Sequence, residues 1–165
     1  MNENIICYLL IVIIVIISIK SYYDSDLFQL KCIISDVNGK KYCVRERKNI
    51  KKASDLLAIT TKNMTTLVNY LINKYPDKEC AVLLHKNFNP GKIKEILPTS
   101  EYTAYSENKG EQIALCLSNK SKNDSDNLID KNTLMFVALH ELSHLATKTI
   151  GHDDTFWKNF KFLLE

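Results

Sequence analysis

Three of the chain's four histidines, His140, His144 and His152, fall within thirteen residues, and Glu141 stands beside the first of them. His140-Glu141-Leu142-Ser143-His144 spells H-E-x-x-H. Residues four apart share one face of a helix. Two imidazoles so placed can grip one tetrahedral Zn²⁺ at about 2.0–2.1 Å each. Glu141, next to the first ligand, reaches a water near the ion rather than the ion itself, which suits a general base. A catalytic zinc usually has three protein ligands and one open position. His152 is the expected third. On a continued helix it would lie about 12 Å beyond His144, so the chain must reverse first. Gly151 offers the break, since glycine takes positive φ without strain. Asp153, Asp154 and more distant acids are the rival third ligands.

An element must present this motif. The run "DKNTLMFVALHELSHLATKTI" predicts a helix capped by Asp130 or Asn132 and ended by Gly151. Asp153 or Asp154 then caps a new helix, "TFWKNFKFLLE", with Phe156, Phe160 and Leu163 on one face. Phe156 and Trp157 are expected in the core beneath the site. Upstream, 47–75 predicts a long helix ended by Pro76, with Ile50, Ala53, Leu57, Met64, Leu67, Val68, Leu71 and Ile72 on its apolar face. "ECAVLLHKNF" is a shorter helix or strand, and its His85, without partners, is expected to be structural or on the surface. "EYTAYSENKGEQIALCLSN" predicts two strands around "ENKG". The polar "NKSKNDSDN" that follows is expected to be a loop.

Composition narrows the function classes. At 165 residues the chain has room for one domain, and a net charge of +3 is no nucleic-acid footprint. Four glycines and no Gly-rich loop remove the usual nucleotide-binding fingerprints. The stretch 5–19 carries no charge. With flanking Tyr and a snorkelling Lys20 it reads as an uncleaved membrane anchor. A signal peptide would want a basic n-region, but Glu3 stands there. Lys20 and Lys31 follow the segment and no Lys or Arg precedes it, so the domain is expected on the cytoplasmic side.

The cysteines, Cys7, Cys32, Cys43, Cys80 and Cys116, are odd in number and widely spaced. "KCIISDVNGKKYCVRE" predicts a hairpin turning at Asn38-Gly39. A two-residue turn there sets Cys43 opposite Ile34 and Cys32 opposite Arg45. The two cysteines are then diagonal neighbours about 7 Å apart, poorly placed for a bond. All five are therefore expected to be free thiols, in keeping with a reducing compartment. N-x-S/T triplets begin at Asn63, Asn119 and Asn123 and matter only in a luminal domain.

"HELSH…GHDDTFW" resembles the WLM and SprT-like branch of zinc metallopeptidases, where an HExxH helix is followed by a further His and, shortly after, a Phe or Trp. The longer run from "ILPTSEYTAYSENKGEQIALCL" to the end resembles predicted metallopeptidases of large double-stranded DNA viruses. The likeness covers most of the chain after about Val37. It implies an α+β zincin-like domain, its HExxH helix packed on a small sheet, behind an N-terminal transmembrane helix. The expected organisation is an anchor over 1–22, a linker over 23–30 and the metallopeptidase domain over 31–165. The resemblance implies one Zn²⁺ held by His140, His144 and His152, with Glu141 as catalytic acid/base and a protein or peptide substrate. Tyr102 and Tyr105 are candidate oxyanion stabilisers, with core strand positions as the alternative. The zincin likeness also implies that the strand over 112–117 pairs with an extended substrate. The His144–His152 interval is longer than in typical WLM members. The chain also stops at Glu165 inside a predicted helix, so a terminal segment is missing or the site is completed differently. Relatives that act on DNA–protein crosslinks carry extra modules that this sequence does not show. The rival reading is a membrane-tethered zinc-binding scaffold without catalysis. Glu141 and the lack of a nearby cysteine favour the enzyme, because structural zinc sites use four ligands and often cysteine. The expected setting is a single-pass host or virion membrane.

Overall fold

The computed structural model describes residues 3–23, 30–97, 100–119 and 127–165. Most of the predicted linker, and 120–126 of the predicted polar loop, lie outside them. The first helix, α1, runs Glu3–Tyr23. It is longer than the charge-free stretch because polar residues at both ends join it. Its 21 residues span about 31 Å, close to the roughly 30 Å of a bilayer's hydrocarbon core. The window Ile5–Tyr22 has mean hydropathy 2.6, and none of it is buried.

The antiparallel hairpin of β1 (Leu30–Ile34) and β2 (Lys41–Arg45) packs Tyr42 and Val44 on the core and leaves Lys41 exposed. Its register differs from the expected one by two residues. The chain turns through residues 36–39, closed by Ser35 N–H donating to Lys40 O (2.9 Å) and Gly39 N–H to Ser35 O (3.0 Å). Cys32 is therefore directly opposite Cys43, and the two form a disulfide. The expectation of five free thiols is corrected to three: Cys7, Cys80 and Cys116. With it goes the thiol argument for a reducing compartment.

Helix α2 (Ile50–Lys74) buries Ala53, Leu57, Met64, Val68 and Leu71, the predicted face, and stops one residue short of the expected end at Tyr75. Helix α3 (Glu79–Asn87) follows; His85 on it is exposed. A three-stranded sheet comes next: β3 (Ile93–Glu95), β4 (Ala104–Glu107) and β5 (Gln112–Leu115), in the order β3-β5-β4. β5 is parallel to β3 and antiparallel to β4. Arg45 ties the hairpin to this sheet. Its guanidinium donates to Ile96 O (2.8 Å) and Leu97 O (2.7 Å), and its backbone N–H to Glu95 Oε2 (2.7 Å). Glu95, fully buried, also pairs with the Arg47 guanidinium.

Helix α4 (Lys131–Leu145) lies between α2 and the sheet, with Leu134, Ala138, Leu142 and Leu145 fully buried. Asp130 caps it, accepting from the N–H groups of Asn132 (2.9 Å) and Thr133 (3.0 Å). It ends at Leu145, five residues before the expected stop. The reason is competition from side chains: Asn87 Nδ2 takes Leu145 O (2.9 Å) and Asn159 Nδ2 takes Ala146 O (3.1 Å). Gly151, at φ +94°, supplies a turn later in the connection. Helix α5 (Asp154–Leu164) closes the chain, capped by Asp153 and burying Phe156, Phe160 and Leu163. Trp157, expected in the core, is 53% exposed, because it points off that face.

Candidate metal centre

The C-terminal end of α4 carries His140 and His144 on one side, as four-residue spacing dictates. The reversal at Gly151 returns His152 to the same place. The three ring centroids stand 4.8–5.0 Å apart. One nitrogen from each ring lies within 4.8 Å of the others, and His152 Nε2 is 3.0 Å from His140 Nε2. A tetrahedral metal with bonds of 2.0–2.1 Å separates its donors by about 3.3 Å. The triad therefore fits such an ion with small adjustments of the rings, and all three donors suit zinc.

Neither Asp153 nor Asp154 is part of this cluster. Asp153 accepts from Phe156 N–H (2.9 Å). Hydrogen bonds from Thr149 and from that N–H hold its carboxyl below the usual carboxylate range.

Phe156, fully buried, backs all three imidazoles, with centroids 5.0, 4.5 and 4.6 Å from His140, His144 and His152. Burial lowers the His140 pKa, with help from His152. Burial, then His140, His152 and Lys109, holds His144 down to about 4. Both rings are therefore neutral, the form a metal needs.

Glu141 is 5% exposed. Burial pushes its carboxyl up to about 7, while a hydrogen bond from the Ser106 side chain pulls it back. Ser106 belongs to β4, so the strand reaches the carboxylate directly. A cleft of about 440 Å³ lies in front, lined by Tyr102, the β4 residues Ala104, Tyr105 and Ser106, the turn residues Asn108 and Lys109, Ile150, Gly151, the three histidines and Glu141. Tyr102 stands at its mouth, 68% exposed. Tyr105 packs its ring against the small cluster of Ile96, Ala114 and Cys116, and its hydroxyl is engaged by Gln112.

The predicted substrate-pairing strand is corrected. β5, over 112–115, is the central strand, hydrogen-bonded on both sides. Among the described residues β4 has a strand neighbour on one side alone, and β4 borders the cleft. Two contributors escaped sequence reasoning. Ser106 is distinguishable by strand alternation once the strand's facing is known. Lys109 sits in an "ENKG" turn that carries no chemical signal.

A family model described as the WLM domain matches residues 46–165. The chain is 33% identical over 139 residues to an uncharacterised protein of Acanthamoeba polyphaga mimivirus, covering 79% of this chain and 67% of that one. It is 43% identical over 54 residues to an uncharacterised protein of Invertebrate iridescent virus 6, covering 33% of this chain and 30% of the relative. Among solved structures, Wss1 from Saccharomyces cerevisiae aligns with TM-score 0.51 and 22% identity, over 72% of this chain and 78% of its own. A mutant of Wss1 from the same yeast aligns with TM-score 0.53 and 20% identity, over 73% and 82%. The mixed helix-and-sheet fold is thus shared with Wss1.

Proposed function

The chain belongs to the WLM-domain family and is similar to proteins of large DNA viruses, and from that footing we propose that it is a zinc metallopeptidase tethered by α1 to a host or virion membrane. His140, His144 and His152 would hold one Zn²⁺ per chain. When bound, the metal supplies Lewis acidity, lowering the pKa of water toward about 7 and polarising a carbonyl. Glu141 takes a proton from the attacking water at one carboxylate oxygen and gives it to the departing amide nitrogen. Burial, which raises its carboxyl in the metal-free chain, favours the half of the exchange in which it carries the proton. Ser106 aims the carboxylate. The open side of β4 gives an extended peptide a strand to pair with, which sets the scissile carbonyl in the cleft. Of the two tyrosines, Tyr102 is the proposed oxyanion donor, because it stands exposed at the mouth of the cleft while Tyr105 packs its ring against Ile96, Ala114 and Cys116. Removing such a donor costs on the order of 10²-fold in rate. The proposed partner is polypeptide rather than nucleic acid, since a net charge of +3 gives phosphates little to bind. The cytoplasmic orientation now rests on Lys20 and Lys31 alone, and the disulfide, rare in reducing compartments, pulls the other way.

One observation carries this reading: three imidazole nitrogens converge in one cleft with a buried carboxylate beside them. The test is metal analysis of the full chain in detergent together with cleavage of an unfolded protein. The expected result is one zinc in both parent and Glu141→Gln, and cleavage at least about 10²-fold slower in the variant. Zinc binding without cleavage by the parent would make the protein a scaffold.

A further inference from the structure

The segment joining the second and third histidines has a common partner outside its own helices. The Lys109 ammonium donates to Thr147 O (2.7 Å) and Thr149 O (2.5 Å), and reaches His144 O at 3.5 Å. An ammonium has three protons; two make close hydrogen bonds to carbonyls of one short stretch, and the third side of the ammonium faces His144 O at longer range. Lys109 lines the cleft, yet its close hydrogen bonds go to this stretch.

We propose that Lys109 is a positioning residue for the metal centre: it holds 144–149 in the shape that delivers His152 to His140 and His144. This rests on the metal reading above. The turn that carries Lys109 is built for the task. Asn108, Lys109 and Gly110 have φ of +44°, +58° and +109°, three successive residues in a region L side chains rarely adopt. Such conformations persist where surrounding contacts over-determine them. Here the contact is close packing: a Cβ on Gly110 would collide with the Asn87 carbonyl and press on Leu145. The turn is thereby seated on the ends of α3 and α4.

The neighbouring carbonyls are taken from other directions. Asn87 claims Leu145 O, and Asn159 claims Ala146 O while also donating to Thr147 Oγ1 (2.9 Å). Lys109 is the charged member of this set. It stands where the last carbonyls of α4 concentrate negative charge, where a cation is favoured. It also joins the β4 wall of the cleft to the loop bearing the third ligand.

The test uses the full chain in detergent with Lys109→Met, which keeps the stem and removes the ammonium, and Lys109→Arg, which restores a charged donor. Amide hydrogen exchange of 146–153 is read without metal, and zinc affinity by competition with a chelator. In Lys109→Met, exchange is expected to accelerate at least about tenfold in that segment and not in α2, and zinc affinity to fall about 10–100-fold, the usual effect of losing a supporting partner. Lys109→Arg is expected to recover part of both. Unchanged exchange overturns the proposal, as does accelerated exchange with zinc affinity equal to the parent's. If Lys109→Met fails to fold, Lys109→Gln, shorter and uncharged, decides by the same two readings: faster exchange with weaker zinc binding supports the lock and parental values overturn it. If the parent takes up no zinc, the metallopeptidase reading falls, and exchange in 146–153 still decides whether Lys109 holds the loop.

Discussion

Phe156 is where packing and metal binding meet, so Phe156→Ala separates them. The side chain is fully buried and touches His140, His144 and His152 on one side and Phe160, at 6.0 Å, on the other. Truncating a buried Phe to Ala costs about 3–5 kcal/mol, from lost transfer energy and the void left behind. That is a large part of a typical stability of about 5–15 kcal/mol. At about 2–4 °C per kcal/mol, the melting temperature falls by roughly 6–20 °C. A second effect is specific to this position. Without the ring behind them the imidazoles gain freedom, and zinc must order them on binding. Each tenfold loss of affinity removes about 1.4 kcal/mol of zinc-dependent stabilisation at saturating free zinc. The control is Leu57→Ala, in α2 and equally buried, with an expected cost of about 2–5 kcal/mol. Urea unfolding is followed with chelator and with zinc. Both variants are expected to lose stability in chelator, and Phe156→Ala alone to lose part of the zinc increment. A loss under about 1 kcal/mol for Phe156→Ala, against the 3–5 expected, refutes the packing. A zinc increment matching that of Leu57→Ala refutes the claim that Phe156 orders the triad.

Three further outcomes are expected. In the metal-free chain His144 lies at about 4, below its unfolded value of about 6.5, so the unfolded state binds more protons and stability drops as pH falls through that window. Glu141, at about 7, lies above its unfolded value of about 4.3 and acts with the opposite sign, so Glu141→Gln unmasks the histidine limb. Denaturation at each pH is expected to show a steeper loss in the variant between about 6.5 and 4; parallel curves refute the assignment. Glu95→Gln leaves Arg47, whose side chain is 1% exposed, without its anion, and is expected to cost about 3–5 kcal/mol in urea unfolding. Glu46→Gln, which breaks an exposed pair with Lys31, is expected to cost less than about 1 kcal/mol. Finally, alkylation of the denatured chain is expected to add three adducts before reduction, at Cys7, Cys80 and Cys116, and five after it; five in both refutes the Cys32–Cys43 bond.

What could be read from the sequence was local. The i,i+4 histidine pair, the caps at Asp130 and Asp153 and the positive-φ turn at Gly151 each depend on a few adjacent residues, and each is present in the structure, though the helix itself ends before Gly151. Three failures were set from a distance. Asn38-Gly39 signals a two-residue turn, but Asp55 on α2 accepts from Ser35 Oγ (2.5 Å) and Asp36 N–H (2.9 Å) and holds a longer one. That shift of register brought Cys32 and Cys43 together. The apolar pattern of α4 runs on past Leu145, but Asn87 and Asn159 remove the carbonyls that would extend it. β5 had the look of a strand, yet its central place depends on β3, some twenty residues upstream.

The same division runs through the site itself. A helix supplies two ligands at no cost beyond its own formation, because α-helical geometry sets their spacing. The third requires the chain to leave the helix, turn within a few residues and come back with an imidazole in place. Nothing in that connection has a regular ladder to satisfy its carbonyls, so each buried one needs a donor from elsewhere. Those donors are Asn87, Lys109 and Asn159, drawn from α3, the β4–β5 turn and α5. A chain keeping H-E-x-x-H and His152 but lacking these three would still carry the motif. By this reasoning it would hold the third imidazole loosely and bind metal less tightly, because ordering the loop would then oppose binding.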